Sequence, residues 1–380
     1  MDNLTHSLVG LAAAKAGLGR QTPYATFVCV AAANLPDIDI VALARGPAFY
    51  LEHHRGITHS VVGMLALAVA FPVLFFACER LWARLRGRAG RARLRGLLVC
   101  SLLLSVSHPL LDWTNSYGVR PFLPWDEGWF YGDLLFIVDP WVWLLLGGAC
   151  FLLTSTTRAR AAAWGLLALV ITALFFRVAS RPDVGVTTAA LGGWCAGLVT
   201  LFLLHRKGAG ARYGARVAGA ALALVVAYCG ALSLVQARAR GAAEVVAREL
   251  AGRGGERVGR VAATPMLADP LTWRCLSETD RSTTRFDMAL RRPTPEALTG
   301  LTRFEKPTGA EAEVVARASL DEGARVLLDF ARFPTARVLP AEAGGWLVQF
   351  ADLRYAEPGT RGRVGGFALE VPVGGAPQGR

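Results

Sequence analysis

Charged residues are scarce in this 380-residue chain, at 18% of the total, whereas hydrophobic residues make up 53%. Mean hydropathy is positive, and several apolar stretches approach the roughly 20 residues that cross a bilayer as a helix. This composition excludes an ordinary water-soluble protein and predicts an integral membrane protein whose main partner is the lipid bilayer. The N-terminus has no basic segment ahead of its apolar part, so we expect no cleaved signal peptide.

Several motifs of common enzyme classes are also absent. The sequence contains no GxSxG, no P-loop, no HExxH and no Rossmann glycine fingerprint after a strand. It has seven cysteines but no CxxC pair. Six of them lie in apolar segments and Cys275 stands alone in the polar C-terminal part, so we interpret them as small core residues rather than disulfides.

The net charge of +12 raises the question of nucleic-acid binding, but the distribution of the basic residues argues against it. Much of the excess lies in two clusters between apolar stretches, Arg80–Arg95 and Arg206–Arg216. Cytoplasmic loops of membrane proteins are enriched in this way. We therefore expect no nucleic-acid partner.

The apolar stretches predict a polytopic α-helical membrane protein with about six to eight hydrophobic helices, some broken or re-entrant. A short segment at 4–18 and a longer one at 23–44, interrupted at Pro36, come first. Clearer spans follow at roughly 57–79, 97–112, 134–154, 161–179, 188–205 and 217–236. We predict a transmembrane metal-site domain at 1–236 and a soluble α+β domain at 237–380, where charge becomes dense and short β-like runs begin.

Alternation of the spans gives a testable topology. If the Arg80–Arg95 loop is cytoplasmic, the other basic loops are cytoplasmic as well. His59, His108, Asp112 and Asp133 then lie near the outer face, where His6 and Asp37 also return. The C-terminal domain is predicted to be extracytoplasmic.

The segment His54–Ser60 (HRGITHS) carries two histidines and Arg55 at the start of an apolar run. Of the eleven acidic residues before position 237, all but Glu79 and Asp183 lie at or next to the predicted outer cluster. His108 and Asp112 are spaced i, i+4, which puts both on one helix face. These features favour a divalent-metal site over a set of scattered loop carboxylates.

Structural alternatives stay open for each residue. His108 and Asp112 could satisfy each other as a polar pair, and Asp37 with Asp39 could form a turn or a helix cap. Thr58 and Ser60 are cap candidates for the following helix. Arg55 could bind an anion in a catalytic role or extend to the membrane interface. A histidine such as His6, before a run of small residues, is often structural.

Four motifs together resemble the YdjM-type family of membrane-bound metal-dependent hydrolases, over about residues 1–150 or to 236 at the outer limit. The motifs are His6-x3-Gly10, LPDID at 35–39, HRGITHS at 54–60, and His108-x3-Asp112 followed by Asn115-x2-Gly118. The resemblance implies a multi-pass protein of the bacterial inner (plasma) membrane with a His/Asp metal site. It does not extend to the C-terminal domain.

The sequence predicts a metal-dependent hydrolase whose metal ligands come from seven residues: His6, Asp37, Asp39, His54, His59, His108 and Asp112. Mixed imidazole and carboxylate ligands favour zinc or manganese, as one or two ions. Asp39 or Asp133 is the candidate general base. The membrane location favours an ester or phosphoester that is lipid-linked. The alternative is a non-enzymatic membrane scaffold or sensor with a structural His/Asp network.

Overall fold

The computed structural model describes residues 1–181, 184–341, 344–360 and 366–374. The chain forms two compact units. The N-terminal unit comprises Met1–Ile38, Arg55–Val235 and Pro265–Pro270. The C-terminal unit comprises Asp39–His54, Gln236–Thr264 and Leu271–Arg380. Each unit therefore includes a segment that the order of the sequence would have assigned to the other.

Helices dominate the first 253 residues. In chain order they are α1 (Asn3–Ala16), α2 (Ala25–Asn34), α3 (Pro47–His53), α4 (Val61–Leu85), α5 (Leu94–Trp113), α6 (Pro140–Thr154), α7 (Arg158–Ala179), α8 (Thr188–Arg206), α9 (Ala209–Tyr213) and α10 (Ala215–Arg253). A 3-10 helix, Leu35–Arg45, follows α2, and another, Ile57–His59, precedes α4. The break predicted at Pro36 is thus confirmed as a change from α-helix to 3-10 helix.

Six helical segments among the described residues are long and apolar enough to cross a membrane. They are Ala25–Arg45, Val61–Leu85, Leu94–Trp113, Arg158–Ala179, Thr188–Arg206 and Ala215–Arg253. The α6 helix is apolar but shorter. Together with the C-terminal sheets, these helices confirm the predicted class, a polytopic α-helical membrane protein with a C-terminal α+β region.

Close packing of α1, α2 and α5 forms the centre of the N-terminal unit. Leu8, Val28 and Cys100, one from each helix, belong to a single buried apolar cluster. Gly10 allows α1 to approach α2, because a Cβ atom at this position would lie 2.7 Å from the Cys29 carbonyl oxygen. The tight contact holds the N-terminal turns of α1, which carry His6, in a fixed position.

Two predicted spans have the wrong limits. The span expected at 134–154 begins as a helix only at Pro140, because the Asp139 carboxylate accepts hydrogen bonds from the backbone of Trp141 and Val142 and caps α6. The span expected at 217–236 continues as α10 to Arg253. Arg–Glu pairs at i, i+4 spacing, such as Arg253 with Glu249, support its polar extension.

From Val258 onwards, the described residues form two sheets and two amphipathic helices. The first sheet has the order β1 (Val258–Met266), β2 (Asp269–Thr279), β3 (Ser282–Ala289), β4 (Thr299–Glu305). The second has the order β5 (Pro334–Pro340), β6 (Trp346–Asp352), β7 (Ala368–Val373), with antiparallel neighbours. Helices α11 (Ala310–Ala318) and α12 (Glu322–Phe330) lie between them in sequence. The short β-like runs predicted in this part of the chain are confirmed, with TTRFDM at 283–288 in β3 and WLVQF at 346–350 in β6.

Segment Asp39–His54 folds with the C-terminal unit. Its helix α3 packs against α12 within that unit. The segment nevertheless leaves the N-terminal unit after Ile38 and returns to it at Arg55. It connects two of the predicted metal-site motifs, LPDID and HRGITHS.

A hydrogen-bonded carboxylate stabilises the C-terminal unit. Glu256 accepts hydrogen bonds from Thr279 Oγ1 at 2.6 Å and Ser282 Oγ at 2.9 Å, and it pairs with Arg303. The hydroxyl of Thr279, with the help of Arg303 and Ser282, lowers the pKa of Glu256 to about 2. A carboxylate with a depressed folded-state pKa stabilises the fold above its ordinary pKa, and this contribution disappears as the pH falls towards about 2.

We expect Glu256→Gln to lower the stability of β2 and β3 by about 1–2 kcal/mol at pH 7, because hydrogen bonds to a charged acceptor are lost. The difference from wild type should shrink as the pH falls from about 4.5 towards about 2. Hydrogen exchange of the β2 and β3 amides, corrected for intrinsic rates, measures both quantities. Exposed Glu311→Gln is the matched control, and an equal effect of the two variants would contradict the assignment.

Candidate metal centre

Helix α5 supplies two of the central side chains. His108 and Asp112 are one helical turn apart and fully buried, and His108 Nε2 lies 3.3 Å from Asp112 Oδ2. The i, i+4 spacing places them on one face, as the sequence predicts. Both side chains therefore extend from the same face of the C-terminal end of α5 into the candidate site.

His59 lies in the 3-10 turn immediately before α4. Ser60, rather than Thr58, caps α4 by accepting a hydrogen bond from the Gly63 backbone. The turn folds back so tightly that a Cβ atom at Gly63 would lie 1.8 Å from the Ile57 carbonyl oxygen. Glycine at this position therefore permits the turn that directs His59 into the protein, where it is 1% exposed.

Asp37 completes a group of four side chains with His59, His108 and Asp112. The Nε2 atoms of His59 and His108 are 3.1 Å apart, and each lies 3.4 Å from Asp37 Oδ1. His59 Nε2 and His108 Nε2 are both 3.3 Å from Asp112 Oδ2. Two imidazole nitrogens and two carboxylate oxygens thus converge on one small volume.

A hydrogen bond to Nδ1 of His108 determines whether its Nε2 presents a proton or a lone pair to the other three side chains. His108 Nδ1 lies 2.6 Å from the Ala33 carbonyl oxygen, which can only accept. Nδ1 therefore carries the proton, and a neutral His108 presents the lone pair of Nε2 to the other three groups. A backbone partner of this kind is the usual support of a metal-bound imidazole.

The four atoms fit a bound divalent cation. Ligands at about 2.0–2.2 Å around a tetrahedral ion lie roughly 3.3–3.6 Å from one another, close to the 3.1–3.4 Å separations found here. A hydrogen bond between His59 and His108 would satisfy only that pair of nitrogens. Within the described residues, Asp112 Oδ2 has no hydrogen-bond partner despite its burial. A cation satisfies all four atoms at once.

Arg55 holds the other oxygen of Asp112. Its guanidinium donates to Asp112 Oδ1 at 3.0 Å, to Asn115 Oδ1 at 2.9 Å and to the Gly118 carbonyl oxygen at 3.2 Å. The guanidinium also lies over the Tyr117 ring, 4.7 Å from its centroid. The side chain is 2% exposed, and its backbone has a φ of 54°, in the left-handed region. Asp112 therefore directs Oδ1 to Arg55 and Oδ2 to His59 and His108.

His6 lies beside this group on α1. Its ring stacks on His108 at a centroid distance of 3.7 Å, and its Nε2 is 3.4 Å from Asp112 Oδ1. Both ring nitrogens are buried, and across the described ranges neither has a hydrogen-bond partner. A buried imidazole without hydrogen bonds is unusual, and it makes His6 available as a further ligand.

Asp39 and His54, the other two predicted ligands, belong to the C-terminal unit. There His54 Nδ1 lies 3.0 Å from Asp39 Oδ1. The four-residue group of the N-terminal unit does not include them. Their predicted roles as ligands, and that of Asp39 as a base, stay predictions.

Asp133, the other candidate base, is 4% exposed and has a φ of 53°. Both of its neighbours are fixed to the end of α5: Gly132 donates its backbone hydrogen bond to Trp113 at 2.7 Å, and Leu134 donates to Thr114 at 2.7 Å. Asp133 is thus held next to the helix end that carries Asp112. The strained backbone is of a kind that is enriched at functional sites.

Besides the hydrogen bonds of Arg55, two further contacts at the site were not predicted from the sequence. The carbonyl of Ala33 fixes the tautomer of His108, and Tyr117 stacks under Arg55. A backbone carbonyl leaves no signal in residue identity. Tyr117 lies within the Asn115-x2-Gly118 motif. The motif therefore indicated that this segment belongs to the site, but it did not predict the contact between Tyr117 and Arg55.

The fold and the site together define a class: a polytopic membrane protein with a buried His/Asp group that could bind a metal ion. Comparison with known proteins gives a family match. Residues 1–184 match the YdjM inner membrane protein family. The resemblance predicted from the motifs is confirmed, and the family and the apolar helices together support a bacterial inner membrane protein.

One relative among curated proteins is YfhP, an uncharacterized protein of Bacillus subtilis (strain 168). It is 27% identical over 154 residues, which cover 38% of this chain and 43% of that protein. The similarity thus spans less than half of either chain. No solved structure matches this protein significantly.

Proposed function

We propose that the protein is a membrane-embedded metal-dependent hydrolase that acts on an ester or phosphoester, with the metal bound by Asp37, His59, His108 and Asp112. The convergence of two imidazole nitrogens and two carboxylate oxygens within 4.8 Å of one another carries the proposal. Two imidazole nitrogens and two carboxylate oxygens are costly to bury together unless each is satisfied, and one bound cation satisfies all four.

The donor set favours zinc or manganese, because imidazole suits zinc and carboxylate suits manganese. Such an ion, when bound, lowers the pKa of a water molecule and polarises the scissile group. His6 is a further candidate ligand beside the four. Asp39 and His54 are the candidates for a second ion.

Arg55 acts in this proposal as a positioning residue. Its hydrogen bond to Asp112 Oδ1 fixes the orientation of the carboxylate and leaves Oδ2 for the metal. Asp133 is our first candidate for the group that takes the proton from water, because its neighbours are fixed to the end of α5. Asp39 is the alternative base.

The direction of the helices supports a site at the outer face. His59 precedes α4, and His108 and Asp112 lie in the last turns of α5. The arginine-rich connection between Leu85 and Leu94 is at the opposite ends of the same two helices. Under the positive-inside rule that connection is cytoplasmic. A site at the end of membrane helices favours a lipid-linked or amphiphilic substrate, with the C-terminal domain outside the cytoplasm.

The proposal is tested by turnover of the detergent-purified, zinc- or manganese-loaded protein on long-chain alkyl phosphate esters and acyl esters. Wild type should hydrolyse one of these classes, and Asp37→Asn should reduce the rate at least about 100-fold because a carboxylate ligand is lost. Asp126→Asn, which changes an exposed loop carboxylate, should retain the wild-type rate. Folded, metal-loaded wild type without turnover on either class would refute the hydrolase function.

A further inference from the structure

A second feature of the N-terminal unit is an apolar groove of about 210 Å³ between α1, α6, α7 and α8. We call it the α6–α8 groove. Its walls include Leu4, Leu8, Phe151, Ile171, Leu198 and Phe202. None of the described residues that line it is charged. Since α7 and α8 are long and apolar enough to span a bilayer, the groove lies among membrane helices.

Three tryptophans line the groove, and each has its indole N–H occupied. Trp143 donates to Thr5 Oγ1 at 3.0 Å, Trp164 to Thr154 Oγ1 at 2.8 Å, and Trp194 to Thr172 Oγ1 at 2.9 Å. The threonines do not line the groove. The tryptophans therefore present apolar ring surface to it and no free donor, which matches a hydrocarbon occupant and excludes a polar one.

Two glycines on neighbouring helices keep the groove open. A Cβ atom at Gly147 of α6 would meet only Leu8 Cδ1, at the ordinary contact distance of 3.7 Å, and one at Gly165 of α7 would have no neighbour within 4 Å. Helix packing does not require glycine at either position, although glycine inside a helix costs about 1 kcal/mol relative to alanine. The missing side chains leave room for a ligand instead.

Helix α1 connects the groove to the metal centre. Leu4 and Leu8 face the groove, whereas His6, between them in sequence, stacks on His108. Thr5, which precedes His6, accepts the hydrogen bond of Trp143 at the groove wall. The same two turns of α1 therefore form part of both sites.

From these observations we propose that the α6–α8 groove binds the hydrocarbon chain of the lipid whose ester or phosphoester is hydrolysed at the metal centre. This inference rests on the proposed function and specifies its substrate class: a lipid whose chain lies along α6 and α7. The groove would bind the chain by burial of its methylene groups, and α1 would set the distance between chain and scissile group.

The test fills the groove with Gly147→Leu and Gly165→Leu, and it uses Gly192→Leu as the matched control. Gly192 is in α8 and does not line the groove, and a Cβ atom there would have no neighbour within 4 Å. Leucine is a good helix former, so the helices should persist. The probe is a long-chain alkyl phosphate ester with a diazirine in mid-chain, incorporated in phosphatidylethanolamine–phosphatidylglycerol vesicles with the full-length protein.

Photolysis should crosslink the probe to peptides of α6 and α7 in wild type and Gly192→Leu, and both filled variants should lose these crosslinks. The KM for the long-chain ester should rise about 10-fold in the filled variants, because exclusion of two methylene groups removes that much affinity. The turnover of a short-chain soluble ester and the metal content should stay at wild-type values.

Two outcomes would overturn the inference. One is turnover of the long-chain ester with crosslinks spread evenly over the lipid-facing helices. The other is groove crosslinks that Gly147→Leu removes without any change in KM, which would identify a bulk membrane lipid as the occupant. Failure of the hydrolase function itself would be seen differently, as absence of turnover on short-chain and long-chain esters alike in wild type.

Discussion

Purified wild-type protein should contain at least one zinc or manganese ion per chain, and both His59→Ala and Asp112→Ala should lose it. Each variant removes one of four groups whose donor atoms lie 3.1–3.4 Å from the neighbouring ligand atoms. Changing even a group that only supports a ligand costs about 10–100-fold in metal affinity. Removal of a ligand should therefore exceed about 100-fold, which is enough to empty the site during purification.

Elemental analysis of the detergent-purified protein measures this directly, with circular dichroism as the check on folding. His205→Ala is the matched control, since His205 lies at the end of α8 and is not one of the seven predicted ligands. It should retain the wild-type metal content. Wild-type protein that is folded and free of metal after purification in zinc- and manganese-supplemented buffer would refute the metal centre. The buried histidines and aspartates would then form a polar network in a membrane scaffold.

The second large effect is expected from Arg55→Ala. This variant removes hydrogen bonds to Asp112, Asn115 and Gly118 and takes one of its two cationic partners, the guanidinium, away from the buried Asp112 carboxylate. Breaking a buried ion pair by removal of one member typically costs about 3–5 kcal/mol. We expect a loss of this size in the free energy of unfolding and a fall of about 10–100-fold in metal affinity, because Asp112 is no longer oriented.

Arg55→Lys separates charge from geometry. Lysine keeps the positive charge but cannot reproduce the fork of N–H donors that joins Asp112 to Asn115. It should restore part of the stability and less of the metal affinity. Denaturant unfolding in detergent and competition with a chelator provide the two readings. Arg177→Ala, on the exposed surface of α7, is the control, and wild-type metal affinity in Arg55→Ala would contradict a positioning role.

Local patterns in the sequence predicted the parts of the site that lie within one element. The i, i+4 spacing of His108 and Asp112 places both on one face of α5 whatever the rest of the fold does. Alternation of the apolar spans also predicted that His6 and Asp37 lie at the same membrane face as His59. These inferences depend on helix geometry and charge distribution, which are readable from residue types alone.

The parts that were not predicted depend on local backbone conformation and on where helices begin and end. The partners of Arg55 follow from a left-handed backbone conformation that no residue-type preference indicates at an arginine. Helix α6 begins at Pro140 because Asp139 caps it. The prediction placed the start earlier because the apolar run extends before Asp139. The extension of α10 to Arg253 followed from strong helix formers and ion pairs in a segment whose charge indicated a new domain.

The exchange of segments between the two units has a practical consequence for dissecting the protein. A cut after Val235 would remove α12, the helix against which α3 packs, and would leave residues 39–54 without their neighbours inside the remaining fragment. The same cut would take Leu267 and Ala268 away from Phe175 and Trp194, with which they form one apolar cluster. Neither fragment would keep its own complete interior. The gene therefore offers no single breakpoint at which membrane and soluble parts can be expressed as independent folding units.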